Sequence, residues 1–589
     1  MYKYDIKEGK VMKKFKIFSV LFILCVIIAF SISCGRLSSQ DINDEDINLS
    51  LTETEEEGEI KTLSMPTIFG NGMVFQRNKD INVYGYSTVE GAAIKVTFMG
   101  QTKEVEVKDG RFDAVFPSSD IQTGLSLTVE QLGENNEILE FSEISIGEVW
   151  VVSGQSNADF EVFKMADFRE YLLLGNNYPN LHLYTTPNTY VQNVDLIGQG
   201  KWMKLDKAAL NSRARVSAHM YVTAVRLAAE FGSEVPIAVV HVARPSSSIF
   251  TWLDYDTLYS IDIYEAMRST AYKNFYNKNG FYPQSATDST YYDATCTEKP
   301  YARLGTVCYM TFLAHLEGYA TRGVVWYQGE SDIGRGGSEY EMLFGKLKSV
   351  FDRVFGGGES VPIFVVQLSP YADVYASSSA PMKDTQYDVT LRYDDVYVIS
   401  SIDGGSLLGA DNIKYMLVHS TIKSPIGLRC ANSILKNIYG IEKAEVMNAP
   451  RPVSVSVDST SVRITFDSEL LLYYGKKVMG FEILDGMVWK KVEGVIDGNT
   501  VVLDCSAISN PKEIRYGYGN YILEMQDGTT MEVLNYTSYT DYTVLHLANG
   551  ENYNADADDE GLRLRFMSPG NVTNDSGEPL FVFKIEIGG

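Results

Sequence analysis

Cysteine is scarce in this chain, and basic side chains are outnumbered by acidic ones. Only 6 cysteines occur in 589 residues, and those after residue 34 are Cys296, Cys308, Cys430 and Cys505. Their spacing matches no metal-ligand pattern, although it leaves open one disulfide, Cys296–Cys308. The net charge of −25 argues against nucleic acid as a partner. It also argues against binding of the folded surface to an anionic bilayer.

The apolar run near the amino terminus is too short for an ordinary membrane-spanning helix. Residues Ile17 to Ile32 follow lysines at positions 13, 14 and 16, and the segment has a credible start at Met12. This pattern predicts a signal peptide over residues 1–34. Ser31 to Cys34 resembles a lipoprotein cleavage site, so Cys34 is the expected lipidation site, with a plain secretory signal as the alternative. An exported protein at the cell surface or in the periplasm is therefore expected.

Core-forming side chains are almost missing from residues 35–62, which are rich in Asp and Glu. Such a segment cannot bury enough apolar surface to offset its ordering entropy, so a disordered acidic linker is predicted.

The remaining chain shows two kinds of periodicity. Residues 63–143 alternate apolar and polar side chains, which predicts an amino-terminal antiparallel β-domain. Residues 144–446 alternate strands with helices, which predicts an α/β domain with a parallel sheet covered by helices. Residues 447–589 return to period-two alternation and predict a carboxyl-terminal β-domain. An acidic stretch at 556–560 is interpreted as a solvated insertion. Calcium binding is the alternative, although the spacing of the acidic residues is not diagnostic of it.

Polar clusters follow four of the predicted strands. These clusters are Ser156, Arg244–Ser248, Gln328–Ser331 and Asp403–Gly405, with His419 shortly after the last. The carboxyl ends of parallel strands lie at one edge of a sheet, so the clusters should converge there. Ser156 is a candidate nucleophile if a base reaches it; its alternative role is to cap a helix. The second glycine of a G-x-S-x-G elbow is absent, so an ordinary α/β-hydrolase is not indicated.

Four blocks in the same order carry a family resemblance: Pro66–Arg77, Gly147–Asn157, Gly323–Asp332 and the stretch from His419 to Arg429. On these residues the chain resembles the sialate O-acetylesterase-like family of SGNH-type carbohydrate esterases. The resemblance implies an α/β fold, with an SGNH-type parallel-sheet hydrolase domain flanked by antiparallel β-sandwich domains.

The resemblance also implies roles for individual residues. Ser156 would attack the acetyl carbonyl, and His419 would accept and return its proton. The oxyanion would be bound by the backbone N–H of Ser156, a backbone N–H of the Arg244–Ser248 cluster and the side-chain amide of Gln328. Pro245 has no N–H, so the donor in that cluster would be Ser246. No metal or organic cofactor is implied.

The expected aspartate three residues before the histidine is Met416 in this chain. A thioether cannot hold the imidazole tautomer, so another carboxylate must do so. The candidates are Glu330, Asp403 and Asp411, and Glu330 is preferred because it lies beside Gln328. The alternative role of Glu330 is that of a buried glutamate that supports its loop. The alternative role of Asp403 is that of a turn residue.

Two further residues have a functional and a structural interpretation. Trp252 is either a sugar platform or part of the core, and His241 is either a support for the site or a packing residue.

The sequence thus predicts a carbohydrate O-acetylesterase, with O-acetylated sialic acids as the implied substrate. One alternative is an esterase for acetylated xylan or another polysaccharide, and another is a catalytically impaired glycan-binding surface lipoprotein. The expected partner is an acetylated carbohydrate, with membrane contact only through a lipid at Cys34.

Overall fold

The structure is a computed structural model that describes residues 61–133, 136–187, 195–211, 213–261, 305–370, 376–406, 418–524, 529–538, 543–555 and 565–587. Lys61–Gly589 form one unit by their contacts. The predicted signal peptide, Cys34 and residues 35–60 lie outside the described ranges. So do Cys296, Asp411, Met416 and the acidic stretch at 556–560.

The amino-terminal region consists mainly of short antiparallel strands whose burial alternates, as the period-two pattern predicts. These strands are β1 Leu63–Ser64, β2 Val74–Gln76, β3 Ile81–Ser87, β4 Ala93–Phe98, β5 Gln101–Glu106, β6 Arg111–Phe116, β7 Gln122–Gln131 and β8 Glu137–Gly154.

Strand β8 belongs to both the amino-terminal region and the central sheet. Its first half pairs antiparallel with β7 and alternates between partly buried and exposed residues. From Ile144 to Gly154 every residue is buried, as predicted for a strand covered on both faces. The domain boundary predicted at residue 143 therefore falls inside one continuous strand.

Among the described residues, the central sheet continues with six more strands, five of which run parallel to β8. They are β9 Leu181–Thr185, β10 Lys201–Lys204, β11 Ile237–Ala243, β12 Gly323–Tyr327, β13 Ile363–Val366 and β14 Val396–Ile399. The spatial order is β10-β9-β11-β8-β12-β13-β14, and only the edge strand β10 is antiparallel to its neighbour. Strand β8 lies between β11 and β12, so the first three predicted polar clusters, at Ser156, Arg244–Ser248 and Gln328–Ser331, follow adjacent strands.

Helices connect these strands. The α-helices are α1 Ser156–Asp159, α2 Phe168–Gly175, α3 Lys207–Asn211, α4 Ala218–Phe231, α5 Tyr255–Tyr259, α6 Gly337–Gly356, α7 Ala376–Asp388 and α8 Ser424–Tyr439. Short 3-10 helices cover Val162–Lys164, Ile249–Trp252, Ala314–Leu316, Glu330–Asp332 and Val389–Leu391, and a π-helical turn covers Tyr309–Leu313. Gly440 ends α8 in the left-handed conformation, as its position predicts.

The two faces of the sheet bury two separate cores. Val149 and Val151 of β8 pack in the core that includes α6. Trp150 and Val152 face the other core, which includes α4 and α8. Alternate residues of one strand thus enter opposite layers, and the predicted α/β class is confirmed.

The carboxyl-terminal region is made of strands and packs against the central sheet. After β15 Gly405–Ser406, which precedes α8 in the chain, the strands of this region are β16 Pro452–Val457, β17 Ser461–Phe466, β18 Leu470–Leu472, β19 Phe481–Asp485, β20 Val488–Lys491, β21 Gly494–Asp497, β22 Thr500–Asp504, β23 Pro511–Tyr516, β24 Ile522–Glu524, β25 Thr530–Ser538, β26 Thr543–Leu547, β27 Asn552–Ala555, β28 Arg565–Met567, β29 Val572–Asn574 and β30 Phe583–Glu586.

Buried Gln367, just after β13, joins this region to the sheet. Its amide nitrogen donates to the carbonyl oxygens of Lys383, at 2.6 Å, and Val582, at 2.8 Å. Its amide oxygen accepts from Val582 N at 3.0 Å. Pairing of β15 with β28 adds a second link.

No helix among the described residues is both long and apolar enough to cross a membrane.

Replacing Gln367 with leucine should lower the free energy of unfolding by about 3 kcal/mol, because the buried N–H and carbonyl groups would lose their partners. Urea unfolding measures the change. Gln101→Leu, on an exposed position of β5, is the matched control and should stay within about 0.5 kcal/mol of wild type. Equal stability of the two variants would contradict this account of how the carboxyl-terminal region docks.

Candidate active site

The turn after β8 depends on Gly154. Its φ is +130°, and a Cβ at this position would lie 2.2 Å from the carbonyl oxygen of Tyr327 on β12. The next residue, Gln155, donates from its backbone nitrogen to the same oxygen at 3.0 Å. Close approach of β8 and β12 therefore requires glycine here.

Ser156 is the first residue of the one-turn helix α1. Asn157 and Ala158 are buried, whereas Ser156 and Asp159 are partly exposed. The nucleophile predicted from the sequence therefore lies on the outward face of α1, at the carboxyl edge of the sheet. Its backbone N–H has no acceptor among the described residues.

We call the turns after β8, β11 and β12 the first, second and third loops. The second loop is hydrogen-bonded to the first. Arg244 N donates to Gly154 O at 2.9 Å, and Ser247 Oγ donates to the same oxygen at 3.3 Å. Ser246 is exposed and has a φ of +63°, a left-handed conformation that favours glycine. Its N–H also has no acceptor in the described part of the chain. Ser156 and Ser246 thus offer two free N–H groups from adjacent strand ends.

Gln328 lies at the centre of the contacts between the loops. Its fully buried amide nitrogen is 2.6 Å from Asp332 Oδ2, 3.1 Å from Ser247 O and 3.2 Å from Gln155 Oε1. Its amide oxygen accepts from Tyr340 at 3.2 Å. Both N–H hydrogens therefore already have acceptors, and the predicted oxyanion role would require one of these bonds to break. In this geometry Gln328 joins the loops to one another through its hydrogen bonds.

Asp332 is a buried residue to which the sequence analysis gave no role. It accepts from the hydroxyl of Ser248, from Ile249 N at 2.9 Å and from Arg335 Nε at 2.8 Å, besides Gln328. The second loop is therefore fixed to the third through one carboxylate. In the sequence, only the position of Asp332 at the end of the block Gly323–Asp332 could have indicated this role.

The loop that carries His419 is held against α1 by Asn157. The amide nitrogen of Asn157 donates to Val418 O at 2.8 Å, which places the residue after Ser156 against the residue before His419. A second contact joins Ala166 N to Thr421 O at 3.0 Å. The serine and the histidine, far apart in sequence, are thus brought to the same edge of the sheet.

His419 is exposed at the opening of this site. Surrounding protein removes part of the water from the His419 ring, and Lys423 and Lys164 add positive charge nearby. Together they lower the pKa of His419 to about 4, while the negative charge of Asp159 raises it. The ring is therefore neutral at pH 7 and able to accept a proton. It makes no hydrogen bond to Ser156 among the described contacts; such bonds often tighten only when substrate is bound.

Glu330, the predicted partner of His419, lies on the inner side of α1. Its Oε1 accepts from the Asn157 amide at 2.5 Å, and its Oε2 is buried without a hydrogen-bond partner among the described residues. Burial raises the pKa of Glu330. Lys423 donates to Asn157 Oδ1 at 2.5 Å, and burial lowers the pKa of Lys423 to about 7. The described contacts thus join Glu330 to Asn157 and none joins it to His419.

Of the two other candidate carboxylates, Asp403 binds Arg429 in a bidentate pair at 2.6 and 2.9 Å, and Asp411 lies outside the described residues. Trp252 is fully buried and donates to Ser247 Oγ at 3.0 Å. It is therefore a core residue that supports the second loop, and the sugar-platform interpretation is wrong.

Within the described ranges, no group of three or more His, Cys, Asp or Glu side chains is arranged to hold a metal ion.

Comparisons with known proteins relate the fold to carbohydrate acetylesterases. No family model matches the chain, and no curated protein matches it in sequence. The carbohydrate acetylesterase XAC1771 from Xanthomonas citri is similar over 89% of this chain and 99% of its own, with a TM-score of 0.65 and 21% identity. A family two carbohydrate esterase from Clostridium thermocellum aligns over 61% of this chain and 92% of its own, at 11% identity and a TM-score of only 0.24. The first likeness establishes a shared fold.

Substituting Gly154 by alanine should lower the free energy of unfolding by at least about 3 kcal/mol, since the Cβ would collide with the backbone of β12. Gly72→Ala is the matched control: φ is +77° and the surrounding space is open, so only the conformational cost of about 1 kcal/mol is expected. Chemical unfolding of both variants measures the difference. A Gly154 variant no less stable than the Gly72 variant would refute the required close approach.

Proposed function

We propose that this protein is a serine esterase that removes O-acetyl groups from carbohydrates. The observation that carries the proposal is the Asn157–Val418 hydrogen bond of 2.8 Å, because it joins the residue after Ser156 to the residue before His419. The fold shared with a carbohydrate acetylesterase supports the same reaction class.

In the acylation step, Ser156 Oγ attacks the acetyl carbonyl carbon and its proton passes to His419. The resulting oxyanion is stabilised by the N–H groups of Ser156 and Ser246, each of which lacks an acceptor among the described residues. The C–O bond to the sugar then breaks, and His419 returns the proton to the departing sugar hydroxyl.

In the deacylation step, water attacks the acetyl-Ser156 ester and gives up a proton to His419. The bond between the acetyl carbon and Ser156 Oγ then breaks, His419 returns the proton to Oγ, and acetic acid leaves and ionises to acetate. A histidine that is neutral at pH 7 suits both steps, because it must act first as a base each time.

Gln328 and Glu330 support the site in this proposal through their contacts with other residues. Gln328 fixes the second and third loops, and Glu330 binds the amide that holds the histidine loop. The left-handed Ser246 keeps its N–H pointing away from the protein's own acceptors, at a conformational cost of about 1–2 kcal/mol.

O-acetylated sialic acid is the substrate that we propose, since cationic side chains lie near the site of an otherwise acidic protein. Exposed Lys164 and Arg213 lie 5.4 and 5.3 Å from the ring centre of Phe163. Lys164 pairs with Glu161 at 2.7 Å and is close enough to influence His419. A sugar carboxylate would be attracted to these two charges. A neutral acetylated polysaccharide such as xylan lacks that group.

The chain is further proposed to be exported and anchored by a lipid at Cys34. The basis is the sequence alone: a short apolar run after three lysines, followed by a lipoprotein-like Ser31–Cys34 segment and an acidic linker.

Ser156→Ala should lower the rate of acetate release from an aryl acetate and from O-acetylated sialic acid by about 10⁴-fold or more. The exposed Ser338→Ala change on α6 is the control and should leave the rate unchanged. Activity that persists in the Ser156 variant would contradict the assignment. A preference for acetylated xylan over acetylated sialic acid would contradict the substrate but leave the reaction class intact.

A further inference from the structure

Burial divides the residues of α1 between two faces. Asn157 and Ala158 point into the protein, whereas Ser156 and Asp159 are partly exposed. Residues three apart on a helix share a face, so Asp159 lies on the same outward face as the nucleophile. Glu330 contacts the inner face, through Asn157.

The carboxylate of Asp159 lies beside two nitrogen-bearing side chains. Its Oδ1 is 2.7 Å from Arg215 Nη2, an ion pair, and 3.1 Å from His241 Nε2. Arg215 is itself anchored by the carbonyl oxygens of Thr186 and Ala243, each at 2.6 Å. Both contacts are made by Oδ1, so Oδ2 is left for a further partner.

The histidine loop contacts α1 and the residue that follows this helix. Val418 O binds Asn157, and the Lys423 ammonium lies 5.3 Å from the ring centre of Phe160, the residue after Asp159. The charged groups near enough to influence His419 are Lys423 of its own loop, Lys164 of the neighbouring 3-10 helix and Asp159 of α1. Lys164 is partly neutralised by Glu161 at 2.7 Å. Asp159 is the one acidic side chain among these three groups.

We propose that Asp159 is the carboxylate that positions His419, taking the role that a residue at position 416 cannot fill. This inference rests on the proposed function and assigns the acid of its Ser–His–acid set. Asp159 would accept a hydrogen bond from one ring nitrogen of His419 and stabilise the imidazolium that forms when Ser156 gives up its proton. Arg215 pairs with that carboxylate and His241 lies beside it, which gives buried His241 a supporting role.

Steady-state hydrolysis of an aryl acetate by Asp159→Asn and Glu330→Gln, next to wild type, tests the inference. D159N should lower kcat by about 10³- to 10⁴-fold, the effect of the same change in a serine protease, with KM changed less than about threefold. The acidic limb of kcat/KM, near pH 4 in wild type because the pKa of His419 is about 4, should move to lower pH. Removal of the negative charge favours the neutral imidazole, so the direction of the shift is fixed. E330Q should leave this limb in place.

The inference is overturned if D159N keeps kcat within tenfold of wild type, if its acidic limb does not move, or if E330Q moves the limb instead. Should D159N fail to fold by circular dichroism, Asp159→Glu replaces it: the retained charge should keep the limb near pH 4 while the displaced carboxylate lowers kcat at least tenfold. Unchanged kcat in that variant also overturns the inference.

Failure of the proposed function has a different signature, namely wild-type protein that releases no acetate. In that case NMR titration of the His419 ring provides the test: a lower pKa in D159N supports the pairing, and an unchanged pKa overturns it.

Discussion

The side-chain amide of Asn157 is the contact on which the rest of the site depends. Its nitrogen donates to Val418 O and to Glu330, and its oxygen accepts from Lys423. One buried amide therefore ties together the nucleophile turn, the loop after β12 and the histidine loop. Because its donors and acceptor are all engaged, the arrangement specifies one position for the histidine loop, and any other would leave buried polar groups unpaired at about 1–3 kcal/mol each.

A second polar network holds the turns that surround the nucleophile. Gln328 and Asp332 satisfy one another and bind backbone groups of the second loop, while Gln155 Oε1 accepts from the third. Such a network is rigid when every member is paired. The strained residue, left-handed Ser246, lies at its edge and carries one of the two free N–H groups. The rigid network and the fixed direction of these N–H groups together preorganise an oxyanion site.

Much of the scaffold could be predicted from local patterns in the sequence. The strand at Ile363–Val366 and the helix ending before Gly440 agree with the structure, because hydrophobic period and glycine stops are local signals. The expectation that Ser156 and His419 lie near the same edge came from the strand ends of a parallel sheet, and the Asn157–Val418 hydrogen bond agrees with it. The roles of Gln328 and Asp159 could not be predicted, since they depend on partners far away in sequence, such as Ser247 and His241, and on which face of a single helical turn is buried.

Covalent labelling with an organophosphate tests the central claim, that Ser156 and His419 act together, most directly. Mass spectrometry of the labelled protein should find the adduct on Ser156 in wild type, with a labelling rate at least about 100-fold lower in His419→Ala. An unlabelled Ser156, or an equal rate in the two proteins, would contradict the account.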